Sequence, residues 1–324
     1  MNPSKKDQTI VILGAAGFIG FHLANAFVQI QGMRLRLVDN FIRGVDDNAW
    51  KSLLKRPNVE FLHRDLEQDK SFEGLFGEGD QVFNCVALNG TQNFYERPFD
   101  VIVNSAIPSI LAPKHAAAAK VDKYFYFGSS ESYAGGLSLG LVHLPTPEEV
   151  PHVFPSLTET RWSYGISKSI GEFAAYAGRV QYGLNSCILR IHNIYGPRMG
   201  DKHVIPDLAK KFSQGRGEVF GINETRCFMF VDDLVSAVLQ LTSLVSLPNV
   251  INVGSSSEVS ILSLANLMKS SMKVDVEIVD AGEFLGSVKR RIPDVSLLKS
   301  LVSVQETPLE TGIGIFLQQE GYIA

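Results

Sequence analysis

Thr9-Ile10-Val11-Ile12-Leu13-Gly14-Ala15-Ala16-Gly17-Phe18-Ile19-Gly20 decides how the chain folds. Residues 9–13 form a continuous apolar run rich in β-branched side chains, as for a strand buried on both faces. Three glycines follow without a gap, and residues 22–30 then read as a helix. Strand, glycine turn and helix in that order give a glycine motif its meaning. The glycines permit a tight turn, let backbone approach a pyrophosphate, and let the helix pack close to the strand. The helix N-terminus then offers N–H groups to an anion. The first gap in Gly-x-x-Gly-x-x-Gly is one residue longer than in the dehydrogenase fingerprint. A plain βα turn is the competing reading.

Outward from this unit, a second strand at 34–38 ends at Asp39, 19 residues after Gly20. That is about the distance expected of a carboxylate that binds an adenosine ribose and repels a 2′-phosphate, so the cofactor reads as NAD rather than NADP. Arg43 nearby is the one feature pointing the other way. A third strand at 59–62 runs into Asp65 and Leu66, and a fourth at 81–87 precedes a polar loop at 89–93. Residues 101–120 read as a long helix interrupted by Pro108 and Pro113. A fifth strand at 123–127 ends in Gly128-Ser129-Ser130-Glu131-Ser132-Tyr133. Hydroxyls and a carboxylate at the C-terminal end of a buried strand are placed to meet a substrate. A serine-rich turn capping the next segment is the alternative.

Residues 140–160, with Pro145, Pro147, Pro151 and Pro155, read as a loop: a flap over the site or a surface excursion. Trp162-Ser163-Tyr164-Gly165-Ile166-Ser167-Lys168 opens a helix spanning about 164–181. Tyr164 and Lys168 are four apart and share a face. An ammonium beside a phenol favours the phenolate, which can take a proton from an alcohol. An exposed amphipathic helix with a solvated lysine is the competing reading. A sixth strand at 185–191 ends in His192 and Asn193. His192 reads as a second acid/base or, more simply, as a packed histidine bonded to backbone. Beyond it the alternation loosens: helix at 204–214, strand at 218–221, strand from 225 leading to a helix capped by Asp232 and Asp233, strand at 250–253, helix at 261–272, strand near 274–279, helix at 308–320.

The pattern predicts an α/β protein. A Rossmann doubly wound parallel sheet over 1–190, with 225–253 returning to it, would carry the cofactor. A smaller C-terminal α/β part over 191–324 would mainly bind substrate. The 324 residues, 45% hydrophobic, suffice for about two domains. A net charge of −4 gives no footprint for nucleic acid. No apolar run reaches the ~18–20 residues that span a bilayer. The polar start lacks the apolar core of a secretory signal. Cys85, Cys187 and Cys227 are odd in number and widely spaced, which points to reduced thiols in the cytoplasm and no metal site.

At this point the chain resembles an extended short-chain dehydrogenase/reductase of the NAD-dependent nucleotide-sugar epimerase/dehydratase family. The resemblance rests on GAAGFIG, VDN, RDL, SSESYAG, YGISK, RIHNIYGPR, RCFMFVDDL, INVG and RRIPD, in the family's order along nearly the whole chain. It implies that Gly14, Gly17 and Gly20, with Phe18 and Ile19 between them, cradle the NAD pyrophosphate. Asp39, with Asn40 beside it, would hold the adenosine ribose, Asp65 and Leu66 would border the adenine, and Ala87 would line the groove. Tyr164 and Lys168 would be the catalytic pair and touch the cofactor, with Ser129 or Ser130 bonding the sugar hydroxyl. Asn193 would contact the sugar diphosphate, Arg226 and Arg291 the phosphates, and Phe220 would stack near the base. Members commonly form homodimers through helices that match 101–119 and 164–181.

The resemblance implies transient oxidation of a nucleotide-diphosphate hexose at C4 by Tyr164 and Lys168, with NAD held and recycled. Epimerisation or dehydration would follow. Decarboxylation of a nucleotide-diphosphate uronic acid and net 4-oxidoreduction are the alternatives. A binding protein that kept the cofactor fold and lost catalysis is the non-enzymatic one. Three departures fall near the sugar: Asn84-Cys85-Val86-Ala87-Leu88 replaces the family's His-x-Ala-Ala, Ala134 stands where its tyrosine would, and the proline-rich insert lengthens the approach to Tyr164. Placed without a gap from Ser129 to Gly135, Ser132 stands where dehydratases and decarboxylases carry a glutamate, which tilts the reading towards a 4-epimerase. Glu131 stands where dehydratases have an aspartate, and pairing with Arg291 is its structural alternative.

Overall fold

The computed structural model describes residues 8–283 and 288–324. Its centre is a seven-stranded sheet. β1 (Gln8–Leu13), β2 (Met33–Asp39), β3 (Val59–His63), β4 (Gln81–Asn84), β5 (Lys123–Ser129) and β6 (Ser186–Ile191) lie in the order β3-β2-β1-β4-β5-β6, and strand Val250–Val253 extends the β6 edge. Every pair in this sheet is parallel. The composition of the strands explains it. Ile10 to Leu13 and all of β5 are buried, so these strands have no polar face and need cover on both sides. Alternate residues of β1 point to opposite layers: Ile10 and Ile12 join one apolar cluster, Val11 and Leu13 the other. The order reverses between β1 and β4, which opens a crevice at the C-terminal ends of the strands.

Helices Phe18–Phe27 and Val231–Leu241 cover one face. Helices Pro98–Ala118 and Trp162–Tyr182 cover the other and pack on each other. The first of this second pair runs unbroken through Pro108 and Pro113, where an interruption was expected. Both prolines are buried with Ala112 and Ala116. Their packing outweighs the roughly 3 kcal/mol that an interior proline costs a helix. Asp232 and Asp233 do not cap the Val231–Leu241 helix. They lie in its first turn, and Asp233 instead accepts from the Thr307 N–H and hydroxyl at 2.7 and 2.8 Å.

The C-terminal part is built of short ladders, Glu218–Val219 with Val279–Asp280 and Thr225–Cys227 with Glu258–Ser260, and of helices Val204–Ser213, Ile261–Met272 and Leu309–Gln319. The ladders are shorter than the strands expected at 218–221 and 274–279. Met268 and Phe316 share one apolar cluster with Ile251 and Val253 of the sheet, so the two parts interleave.

The proline-rich segment is a brace. The Thr146 N–H donates to Ile292 O (2.7 Å), and Thr146 O accepts from Asp294 N (2.8 Å) and the Asn252 amide (3.0 Å). Arg190 donates to Glu148 O, and His152 Nδ1 meets the Ser169 hydroxyl. These bonds fix residues 290–294 against the sheet.

Candidate active site

β5 and the Trp162–Tyr182 helix bring the reactive side chains together. Tyr164, Lys168, Ser129 and Ser130 are all buried at the crevice. The Tyr164 ring stacks on Phe94, with centroids 5.0 Å apart and planes 13° from parallel. The Lys168 ammonium donates to Phe127 O at 2.7 Å and lies 5.8 Å from the Tyr164 ring centre. Burial pulls Lys168 down to about 8. Burial pushes the Tyr164 phenol up and the Glu131 charge adds to this, while Arg43 and a hydrogen bond with Ser129 favour the phenolate. Sequence reasoning assigned that help to Lys168 alone and missed Arg43. Its cue was a cation four residues beyond Asp39, read there only for a 2′-phosphate.

The serine-rich turn brings one carboxylate, Glu131, close enough for its charge to act on Tyr164. Ser132 is 0% exposed, and its hydroxyl donates to Ser129 O at 2.8 Å, inside the turn. Glu131 presents the carboxylate. Arg161 donates to its Oε2 at 3.0 Å and Arg291 Nη1 lies 2.5 Å from its Oε1. Burial works to raise the Glu131 carboxyl, but the two guanidiniums outweigh it and hold it at about 2. Ser132, from which the tilt towards a 4-epimerase was taken, is thus a hydrogen-bonded part of the turn. Arg161 was missed by the sequence reading because nothing marks a residue at a helix start as facing a strand end.

His192 is fully buried, bonded to the Asn252 side chain at 3.3 Å and near the Tyr133 hydroxyl. Burial holds it down at about 3, so it stays neutral: the packed reading holds, with side-chain partners. Tyr133 is buried against it, and Asn84 donates to the Tyr124 hydroxyl at 2.9 Å, so two of the departures are core contacts.

Arg291 and Arg226 sit close enough for burial and the charge of Arg291 to pull Arg226 down to about 10. Arg226 pairs with Glu224 at 2.5 Å. Among the described residues the Arg291 Nε is buried without a partner. The Asn193 amide donates to Cys227 O, and Phe220 lies 5.2 Å below the Lys211 ammonium, 37% exposed. Of these four, Arg291 reaches the turn after β5, through Glu131.

The groove beside the glycine turn is lined by Gly14, Gly17, Asp39, Asn40, Arg43, Asp65, Leu66, Cys85 and Ala87. Gly14 has φ +77°, and a Cβ on Gly20 would come within 2.2 Å of Gly14 O, so neither position admits a side chain. Gly17 starts the helix with no side-chain cap, leaving its first N–H groups for an anion. Phe18 and Ile19 are half-buried in that first turn. The Asp39 carboxylate accepts from Ala16 N and Phe41 N. Asn40 Oδ1 accepts from Ile42 N, which curls the next loop over the groove. Burial pushes the Cys85 thiol far up, so it is no nucleophile.

A clasp holds that loop. Val45 N donates to Ala16 O, Arg198 forms an ion pair with Asp47 and donates to Val45 O, and its guanidinium lies 3.7 Å over the Phe21 ring. Arg198 comes from the loop after strand Ile194–Tyr195, on the far side of the groove.

A parallel doubly wound sheet with a glycine cradle and a buried Tyr-x-x-x-Lys beside serine hydroxyls defines a short-chain dehydrogenase/reductase. Comparison with known proteins narrows this: the NAD dependent epimerase/dehydratase family profile matches residues 10–254, and the chain belongs to that family. It is 31% identical to a UDP-N-acetyl-alpha-D-glucosaminuronate decarboxylase of Bacillus cytotoxicus, over 90% of each chain. It is 30% identical to UDP-glucuronic acid decarboxylase 1 of Xenopus tropicalis, over 96% of this chain and 72% of that one. Among solved structures, a UDP-glucose 4-epimerase of Thermotoga maritima with UDP-glucose superposes with a TM-score of 0.84 at 25% identity, covering 97% of this chain and 99% of that one. The chain is an NAD-dependent nucleotide-sugar enzyme. The groove fits NAD: an uncapped helix start for the diphosphate, a carboxylate for ribose hydroxyls and an unbranched backbone at Gly14 and Gly20.

The clasp makes a prediction. Asp47→Asn keeps the oxygen that caps Trp50 N but removes the charge facing Arg198. NAD should then dissociate about 10-fold faster, the size of one weakened charged hydrogen bond. Cofactor content after repeated gel filtration reads this. Unchanged retention in Asp47→Asn and Arg198→Gln would remove the clasp from cofactor binding.

Proposed function

We propose that the protein decarboxylates a nucleotide-diphosphate hexuronic acid through transient oxidation at C4. The observation that carries this is Glu131, flanked by Arg161 and Arg291 beside Tyr164. A second anionic group next to the reacting carbon needs cations at that place, and a neutral hexose does not. The two relatives at 30% and 31% identity are both decarboxylases of sugar acids, which supports the reading.

Tyr164 removes the O4 proton, with Ser129 bonded to the same oxygen and Arg43 favouring the phenolate. NAD, which Gly14, Gly17 and Asp39 would hold, would supply the hydride acceptor and donor for C4. The C6 carboxylate is then β to a C4 ketone. The C5–C6 bond breaks, its electrons pass into the carbonyl as an enolate, and carbon dioxide leaves. Tyr164, now protonated, and Ser129 donate to the enolate oxygen. A proton from solvent at C5, hydride returned to C4 and the Tyr164 proton returned to O4 complete a nucleotide pentose.

Within this reading, 1–190 with 225–253 hold the cofactor and 191–324 mainly the nucleotide sugar. Phe220, Asn193, Arg226 and Arg291 bind the substrate. Two copies pair through helices Pro98–Ala118 and Trp162–Tyr182, whose Phe99, Phe173 and Val180 are exposed apolar side chains. The free cysteines suit the cytoplasm. Among the described residues no helix is long and apolar enough to cross a membrane.

Incubating the NAD-loaded protein with UDP-glucuronate should release carbon dioxide and give a UDP-pentose without consuming added cofactor, as read by mass spectrometry. A product of unchanged mass with inverted C4 would assign the chain to the 4-epimerases instead. Loss of water, or cofactor consumed mole for mole, would also overturn the proposal.

A further inference from the structure

We propose that Arg161 is a positioning residue that stays on Glu131, while Arg291 exchanges Glu131 for the carboxylate of the sugar acid. This rests on the reading of the substrate as a uronic acid.

The two arginines bind the same carboxylate in different ways. Each takes one oxygen, Arg161 the Oε2 and Arg291 the Oε1. Arg161 belongs to the body that carries the chemistry. It precedes the Trp162–Tyr182 helix, three residues before Tyr164. Its guanidinium lies 4.5 Å over the Trp162 ring, and the Trp162 indole N–H donates to Glu159 at 2.9 Å. The same helix turn also fixes the Glu131 backbone, since a Cβ on Gly165 would come within 2.6 Å of Glu131 O. One turn therefore sets Glu131 at both its carboxylate and its carbonyl, with Tyr164 between.

Arg291 belongs elsewhere. It lies on the segment held by the brace to Thr146, beside Arg226. Its Nε is buried with no partner among the described residues, so a guanidinium edge is still unmatched there when Glu131 is bound. The charge of Arg291 acts against that of Arg226, and an incoming anion relieves this. Arg291 thus has both an unsatisfied donor and a charge neighbour that favour a new anion. Arg161, stacked on Trp162, has its place fixed by the helix. If both arginines left together, Glu131 would lose its orientation when substrate arrives.

The test uses the NAD-loaded full chain with Arg161→Gln, Arg161→Lys and Arg291→Gln. The Glu131 carboxyl is titrated by carbon-13 NMR, its signal assigned by difference from Glu131→Gln. Affinities for UDP-glucuronate and UDP-glucose are measured by calorimetry. Arg161→Gln should raise the Glu131 midpoint by about 1 unit or more, and Arg161→Lys should restore most of it. Arg161→Gln should keep the preference for UDP-glucuronate, and Arg291→Gln should lose it by about 10-fold. An unmoved midpoint in Arg161→Gln would overturn the proposal. So would a preference lost as fully in Arg161→Gln as in Arg291→Gln, which would make Arg161 a substrate ligand. A wild-type protein that binds both sugars equally would sink the uronic acid reading and the exchange with it, while the titration would still decide whether Arg161 holds Glu131.

Discussion

Tyr164→Phe should lower turnover about 1,000-fold and leave NAD in place. The phenol oxygen is the only part removed. The ring keeps its stack on Phe94, and the cofactor groove of Gly14, Gly17 and Asp39 is untouched. What is lost is the proton acceptor for O4. Lys168 cannot substitute, because its ammonium is directed to Phe127 O at 2.7 Å, and Ser129 lacks the basicity. Positioned acid–base groups contribute about 100- to 10,000-fold, and the expected loss lies inside that range. Product formation from UDP-glucuronate, with cofactor content measured on the same sample, checks both halves. Activity near that of the unchanged protein would exclude Tyr164 as the base. Lost cofactor would make it a binding residue instead.

Glu131→Gln should separate the two halves of the reaction. C4 oxidation needs Tyr164, Lys168 and Ser129, all retained, so adding substrate should still raise the absorbance of reduced nicotinamide. Carbon dioxide release should fall about 100-fold, because Arg161, left without Glu131, competes with Arg291 for the sugar carboxylate and the C5–C6 bond loses its alignment. Removing a charge that pushes the Tyr164 phenol up should also move the oxidation step to lower pH. Stability should drop by about 3 kcal/mol, since Arg161 and Arg291 are left buried without their shared anion. This cost depends on pH in a defined direction. The Glu131 carboxyl sits at about 2 in the fold against an ordinary 4.5, so its contribution is full above 4.5 and fades as pH falls towards 2. Urea midpoints of the two proteins should therefore converge in acid. Carbon dioxide release at the wild-type rate would exclude Glu131 from the later steps.

The cofactor half of the fold could be read from the sequence because its signals are local. A β-branched run, three glycines and a carboxylate 19 residues on each act through neighbours in the chain. The six strands expected through 191 are the six observed, and 250–253 forms the seventh. Pairings across the molecule were less legible. Arg161 and Arg291 meet at Glu131 only once β5, a helix start and the 290–294 segment are folded together. Ser132 and Glu131 are adjacent, and the bond from Ser132 to Ser129 O, which takes Ser132 up inside the turn, is visible only in the folded chain. The proline-rich loop carried no sign of its anchors, since Thr146 pairs with backbone near Ile292.

The shared carboxylate also has a bearing on how the enzyme is made. Arg161 is 30 residues from Glu131 in the chain, but Arg291 is 160 away, so the second contact closes a far longer loop. A growing polypeptide can settle the cofactor half, with Glu131 already on Arg161, before residue 291 has been synthesised. The cofactor half also needs helix Val231–Leu241 and strand Val250–Val253, so at about 5–20 residues per second the interval from residue 253 to residue 291 lasts roughly 2–8 s. During it the nascent protein has a cradle, a phenol and a lysine, yet lacks the second arginine. On the proposed reading, a chain that has not yet reached residue 291 lacks the arginine that would take up the sugar acid.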